Sequence, residues 1–250
     1  MCLLVLAHRV HTRYPLVVAA NRDEFLERPS AGAHFWADHP GILAGRDLRA
    51  GGTWMGLSRQ GRFAALTNHR DMRRAWPQGP SRGAVVVEAL LSDAHKLPPT
   101  ATAGYNLIYG PIGRLRYHNN VDGTDMALPT GILGLSNHLL DTPWPKVQRA
   151  KGHLEEVLAG HGADPTEDLF DMLADECPAP VEALPDTGVG EAWERALGSI
   201  FIRTPSYGTR ASTVLLVDAG GVATFIERSH DGGGESRHTL DLGAAWADRG

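Results

Sequence analysis

Short apolar runs separated by turn-forming residues recur along the chain: Cys2 to His8, Leu16 to Ala20, Thr53 to Ser58, Phe63 to Thr67 and Tyr105 to Tyr109. Their length and their punctuation by Gly and Asn predict strands. The segment from Met55 to Phe63 reads as a hairpin turning at Gln60-Gly61. Residues 83–91 (GAVVVEALL) suit a helix with Ser81 near its cap. A clearer helix begins near Trp144, where Val147, Ala150, Leu154 and Leu158 keep a helical period, Pro145 sits in the first turn and Gly160 follows the last periodic residue. A further helix is predicted from Thr166 to Ala174. The tail returns to strands at Ser199 to Arg203, Thr213 to Asp218, Ala223 to Glu227 and Arg237 to Leu242. Strands at both ends with helices between them predict an α+β fold over residues 1–250 as one domain, the terminal strands meeting in the same sheets. Residues 175–190 read as a Pro-rich surface loop.

Composition narrows the function classes. A chain of 250 residues with 42% apolar and 21% charged residues can bury one sizeable core. A net charge of -5 gives no electrostatic case for nucleic acid or an anionic membrane surface. No uninterrupted apolar stretch approaches the ~20 residues that span a bilayer. The start, Met1-Cys2-Leu3-Leu4-Val5-Leu6-Ala7-His8-Arg9, lacks a positive leading region and reads as a first strand, not a signal peptide. Two cysteines, Cys2 and Cys177, are too few for a disulfide scaffold, so a reducing, cytoplasmic setting is expected. The 12 histidines include no His-Glu-x-x-His, and with no Cys-x-x-Cys either, no catalytic metal or other cofactor is expected. Cys177-Pro178 and Gly232-Gly233-Gly234 read as loops, and Trp36 and Trp54 as core.

Chemistry is concentrated near the start. Removal of the initiator methionine would leave Cys2 carrying both a thiol and a free α-amine, with reference pKa values of ~8.5 and ~7.7–8.0. Near neutral pH such an amine is partly unprotonated and can take the proton of its own thiol, directly or through a water. The plainer reading is a small apolar residue opening a strand. The strand Leu16 to Ala20 then opens into Asn21-Arg22-Asp23-Glu24-Phe25. Four polar residues at a strand end suit a binding or catalytic site; they equally suit a turn closed by Asn21 and Asp23, with Arg22 paired to a carboxylate.

The Asn21-Arg22-Asp23-Glu24 signature after a Met-Cys strand resembles the one that names the NRDE (TANGO2-like) family. Further segments carry the resemblance along most of the chain: Ala44-Gly45-Arg46-Asp47 with Gly51-Gly52-Thr53-Trp54-Met55-Gly56, Leu66-Thr67-Asn68-His69-Arg70, Gly134-Leu135-Ser136-Asn137 with Asp141-Thr142-Pro143-Trp144-Pro145-Lys146-Val147, and Tyr207-Gly208-Thr209-Arg210-Ala211-Ser212-Thr213. That family is similar to the N-terminal-nucleophile (Ntn) cysteine hydrolases of the choloylglycine hydrolase and penicillin V acylase type. The resemblance implies an αββα sandwich of two antiparallel sheets flanked by helices, cleaving an amide or thioester of a small molecule. It implies Cys2 as nucleophile, Asp23 as the holder of the α-amine, Asn68 and Asn137 near the oxyanion hole and Arg210 beside the nucleophile. Asn21, Arg22 and Glu24 would support the site. The choloylglycine-type enzymes carry an arginine three residues before the aspartate, where Ala20 stands here. Because neighbours on a strand face opposite ways, Arg22 is expected to face away from the thiolate. Family links to haem trafficking and acyl-CoA or lipid metabolism imply a rival: a carrier of haem or acyl-CoA that cleaves nothing. A scaffold in which Cys2 is simply buried is the third reading.

Overall fold

The computed structural model describes residues 2–77, 79–92, 102–160, 164–243 and 246; Met1, whose removal the hydrolase reading requires, lies outside them. The first apolar run forms β1 (Cys2–His8), which pairs antiparallel with β2 (Leu16–Phe25). β1 and the Leu16–Ala20 half of β2 are apolar on both faces, as strands covered from two sides must be. Late strands complete this sheet: β11 (Tyr207–Val217), β12 (Val222–Ser229) and β13 (Glu235–Asp241), with β10 (Gly131–Leu135) on the other flank of β1, in the order β10-β1-β2-β11-β12-β13. The terminal strands thus meet in one sheet, as the pattern predicts. The second sheet is a meander in chain order: β3 (Ser30–Phe35), β4 (Ile42–Asp47), β5 (Met55–Ser58), β6 (Arg62–Asn68), β7 (Tyr105–Pro111), β8 (Arg116–Asn119) and β9 (Asp125–Ala127).

Strand alternation assigns the layers. Leu4, Leu6, Leu16, Val18 and Leu215 of the first sheet pack against Leu43, Leu57, Phe63 and Ile108 of the second. The opposite face of the first sheet (Leu3, Val5, Val17, Ala19, Val214) is covered by Val147, Ala150 and Leu154 of α2 (Pro145–Ala159) and by Leu169, Phe170 and Leu173 of α3 (Thr166–Leu173). The outer face of the second sheet (Ile42, Ala64, Leu107) receives Val86, Ala89 and Leu90 of α1 (Arg82–Leu91). The architecture is therefore an αββα sandwich, two antiparallel sheets flanked by helices. A short helix, α4 (Glu191–Ala196), follows the 3-10 turn Val181–Ala183 in the Pro-rich segment. Among the described residues no helix is long and apolar enough to cross a membrane.

Two expectations fail. Ser199 to Arg203 is not a strand; it meets the start of β11 through an isolated antiparallel bridge between Arg203 and Gly208. Its Ile200 carbonyl is held instead by the Asn21 side chain at 2.9 Å. Asn21 to Phe25 is not a turn but the last half of β2, because Tyr207, Gly208 and Thr209 extend β11 alongside it.

Candidate active site

Cys2 stands directly opposite Arg22 in the β1–β2 ladder. Both belong to the even-numbered series that faces the second sheet, so both side chains enter the gap between the sheets. The expectation that Arg22 faces away from the thiol is corrected: alternation does separate Arg22 from Asp23, but Arg22 shares the face of Cys2. There the two line a cavity of about 130 Å³ together with Glu24, Trp54, Asn68 and Arg82. Arg22 is buried with its guanidinium 4.2 Å from the Trp54 ring centroid, and its Nη1 lies 3.5 Å from Ser30 Oγ. Trp54 is thus a wall of the cavity as well as packing. It lies flat on β4 because residue 45 is glycine; a Cβ there would come within 2.4 Å of the ring. At the mouth, Arg28 and Asp47 form an ion pair at 2.6 Å, with Glu24 3.8 Å from Arg28. The start of α1 closes the other wall, with Ser81 Oγ accepting from the Gly83 N–H at 3.3 Å. Its approach depends on two glycines, since a Cβ on Gly52 would meet the Gly83 backbone at 2.5 Å.

Burial pushes the Cys2 pKa up and the Asp23 carboxylate adds to this, against Arg22 and the Asp23 backbone N–H, which hydrogen-bonds the sulfur. Arg22 and Arg82 are pushed below the ordinary arginine value by burial, with Cys2 the first charge to oppose the shift in each. Ser136 Oγ donates to the Cys2 carbonyl at 3.2 Å and fixes the start of β1 against the end of β10.

The other face of β2 is dry and polar. Asn21 is fully engaged: its Nδ2 donates to Leu173 and Ile200 carbonyls, and its Oδ1 accepts from Ser212 Oγ at 2.6 Å. It pins α3 and the 200 segment to the sheet. Asp23 is buried, accepts from Thr209 Oγ1 at 2.8 Å through Oδ1, and accepts from Tyr207 OH at 2.9 Å through its backbone carbonyl. Burial raises its pKa, and Lys146 is the first of the charges that oppose this. Asn137 is buried with its Nδ2 donating to the Asn68 carbonyl at 2.9 Å, so its amide ties two loops together. Asn68 itself is among the residues that line the cavity.

Arg210 is not brought to the thiol. A register shift between Thr209 and Ala211 turns it out of the ladder alternation. Its Nη1 donates to the carbonyls of Phe25, Leu26 and Arg28, and its Nη2 pairs with Asp231 at 2.6 Å. The cation beside Cys2 is Arg22. Sequence reasoning also passed over Lys146, Thr209, Arg82 and Ser136 as site residues. For Lys146 a signal was present: a lysine, one of only three in the chain, one turn before Ala150 on the apolar stripe of α2. For Arg82 and Ser136 none was, since only the packing of α1 and β10 brings them near position 2. Among the described residues no group of three or more His, Cys, Asp or Glu could hold a metal ion.

With this geometry in view, comparisons place the chain among known proteins. The family model described as Transport and Golgi organisation 2 matches residues 1–232. The chain is similar to the human Transport and Golgi organization protein 2 homolog, 37% identical over 241 residues that cover 86% of this chain and 87% of that one. The mouse homologue is 35% identical over 240 residues, covering 86% and 87%. Among solved structures, a mutant conjugated bile acid hydrolase from Clostridium perfringens aligns with a TM-score of 0.43 and 9% identity over 98% of this chain and 93% of its own.

Proposed function

We propose, for a chain that belongs to the Transport and Golgi organisation 2 family, that it is an N-terminal-cysteine hydrolase cleaving an amide or thioester of a small molecule. The observation that carries this reading is the juxtaposition at the end of β1. Cys2 lines a half-open cavity, with Arg22 opposite it in the ladder and the Asp23 N–H on its sulfur. A thiol whose pKa burial raises needs a base at the moment of attack, and the α-amine of a Cys2 freed from Met1 is the base nearest to it. In the forward step the amine takes the thiol proton, sulfur bonds to the substrate carbonyl carbon and the carbonyl electrons move to oxygen. Collapse breaks the C–N or C–S bond; the ammonium returns the proton to the leaving amine or thiol. Water, giving its proton to the same amine, then releases the acyl group from Cys2 and the sulfur is reprotonated. Asp23 orients the amine, and Asn68 and Arg22 face the developing oxyanion; one well-placed donor is worth ~2.7–4 kcal/mol. Asn137 serves by fixing Asn68. Arg210 is not needed.

A cavity of about 130 Å³ supports a small acyl group. Pockets that enclose drug-sized ligands run to ~300–1,000 Å³, so carriage of haem or whole acyl-CoA inside this one is the weaker reading. The test joins mass and turnover. The mature protein should lack Met1, alkylate at Cys2 before Cys177, and turn over a member of an amide and thioester panel with all turnover lost in Cys2→Ala. Retained Met1, or saturable binding of haem or acyl-CoA that survives Cys2→Ala without turnover, would remove the hydrolase and leave the fold.

A further inference from the structure

Lys146 lies in the first turn of α2 and is 3% exposed, and among the described residues its Nζ has no hydrogen-bond partner. A helix N-terminus repels a cation, and a lysine that could reach water would do so. Neither helix stability nor solvation therefore accounts for its place. The charged groups around it come from several elements: Asp23 on β2, Cys2 on β1, Arg70 in the loop after β6 and Glu194 on α4, with Tyr207 of β11 hydrogen-bonded to the backbone of Asp23. Glu194 is already matched. Its Oε2 accepts from Arg70 at 2.8 Å, and its Oε1 accepts from the N–H and hydroxyl of Thr187. Asp23 is the carboxylate left for Lys146, and it is the first attraction that Lys146 feels against the burial that lowers its pKa to about 8.

A buried carboxylate set against the α-amine of Cys2 poses a problem for the mechanism above: alone, it would hold that amine as ammonium and prevent it from acting as a base. We infer that Lys146 is a positioning residue for the nucleophile, a second cation on Asp23 that weakens the hold of this carboxylate on the Cys2 amine and adds positive field at the thiol. This rests on the reading of Cys2 as an N-terminal nucleophile. Lys146 touches no substrate; it acts through Asp23.

The test is the pH profile of Cys2 alkylation, followed by peptide mapping, in the wild-type protein and in Lys146→Met, Lys146→Gln and Lys146→Arg. Loss of the cation raises both the amine and the thiol, so the Met and Gln variants should react roughly tenfold more slowly near neutral pH, with the profile displaced to higher pH. Lys146→Arg, which keeps the charge, should restore it. A merely structural lysine would alter stability and leave the profile in place. If Lys146→Met does not fold, isotope-labelled lysine still decides the matter. The chain has only Lys96, Lys146 and Lys151 to observe, and Lys146→Gln identifies the signal. One lysine titrating well below the other two is the expected result, and three ordinary lysines would overturn the inference. An unshifted alkylation profile in both the Met and Gln variants would overturn it too, while turnover of the substrate panel in the same preparations would leave the hydrolase standing. A shifted profile without any turnover would do the reverse.

Discussion

Arg210 on β11 and Lys146 on α2 are both cations shut inside the sandwich, and the protein accommodates them in opposite ways. Arg210 has acceptors on both terminal nitrogens: three backbone carbonyls between Phe25 and Arg28, and the carboxylate of Asp231. Among the described residues the Lys146 Nζ has no hydrogen-bond partner, and Asp23 is the first charge that attracts it. Buried polar groups are almost always satisfied. A satisfied one holds structure together, and one left unsatisfied needs another reason to persist. The guanidinium that family resemblance would place beside the nucleophile is the structural one, closing the turn after β2. The lysine that the motif carries without comment faces the site.

The largest effect expected from this contrast is on stability. Arg210→Ala strips three carbonyls of their donor and leaves Asp231 unpaired, which should lower the unfolding free energy by about 3 kcal/mol in urea, with Cys2 alkylation changed less than about twofold. A normal stability with tenfold slower alkylation would reverse the assignment of the two cations.

Lys146→Met should do the opposite. The native lysine titrates at about 8 rather than 10.5, so between those values the unfolded chain holds more protons. Wild-type stability should therefore rise with pH across that window and fall away as pH drops through it, by up to about 3 kcal/mol. Lys146→Met should lack that rise and, near neutral pH, unfold at the higher urea concentration. A variant less stable than wild type at neutral pH would mean that Lys146 has a partner in the folded protein.

A step smaller, Asp23→Asn should slow Cys2 acylation about 10- to 100-fold, the ~1.5–3 kcal/mol of a charge-assisted hydrogen bond, with a modest change in melting temperature. Lower stability with undiminished acylation would return Asp23 to the structural side. Smallest of all, Arg22→Ala should raise the thiol further and slow alkylation near neutral pH about threefold, while the lost contact with Trp54 costs about 0.5–1 kcal/mol. Unchanged alkylation would show that the ladder partner of Cys2 does not touch its chemistry.

Most of the layers could be read from the chain alone. Apolar runs long enough for strands marked β1, β6, β7 and the core of β2, and Ser81, Pro145 and Gly160 marked helix ends close to where α1 and α2 begin and stop. What was hidden depends on partners distant in sequence. Gly131 to Leu135 reads as punctuation until it pairs with β1, and Ser30 to Phe35 has no apolar run to announce it. Within the site, Cys2 and Asp23 stand out as residues. The side of β2 that each faces follows from register, and the Thr209 bulge that diverts Arg210 leaves no local trace, whereas the helix that carries Lys146 is announced by its apolar period. A polar run on a strand shows that something binds it; which residues do the binding is decided by the strands alongside.

The position of β1 and β2 has a consequence in time. The Thr209 hydroxyl that holds Asp23 lies 186 residues downstream of it, and β11 must dock on β2 before the cluster behind Cys2 can close. At a synthesis rate of roughly 5–20 residues per second, that docking comes about ten to forty seconds after the first strand has left the ribosome. For that interval Asp23 lacks the Thr209 hydroxyl that holds it, and the cluster behind Cys2 is open. A synonymous change that slows translation of the last third would lengthen the interval, and a faster-folding variant would shorten it. The fraction of molecules in which that cluster has closed would follow the kinetics of synthesis and folding, independent of any change in the site itself.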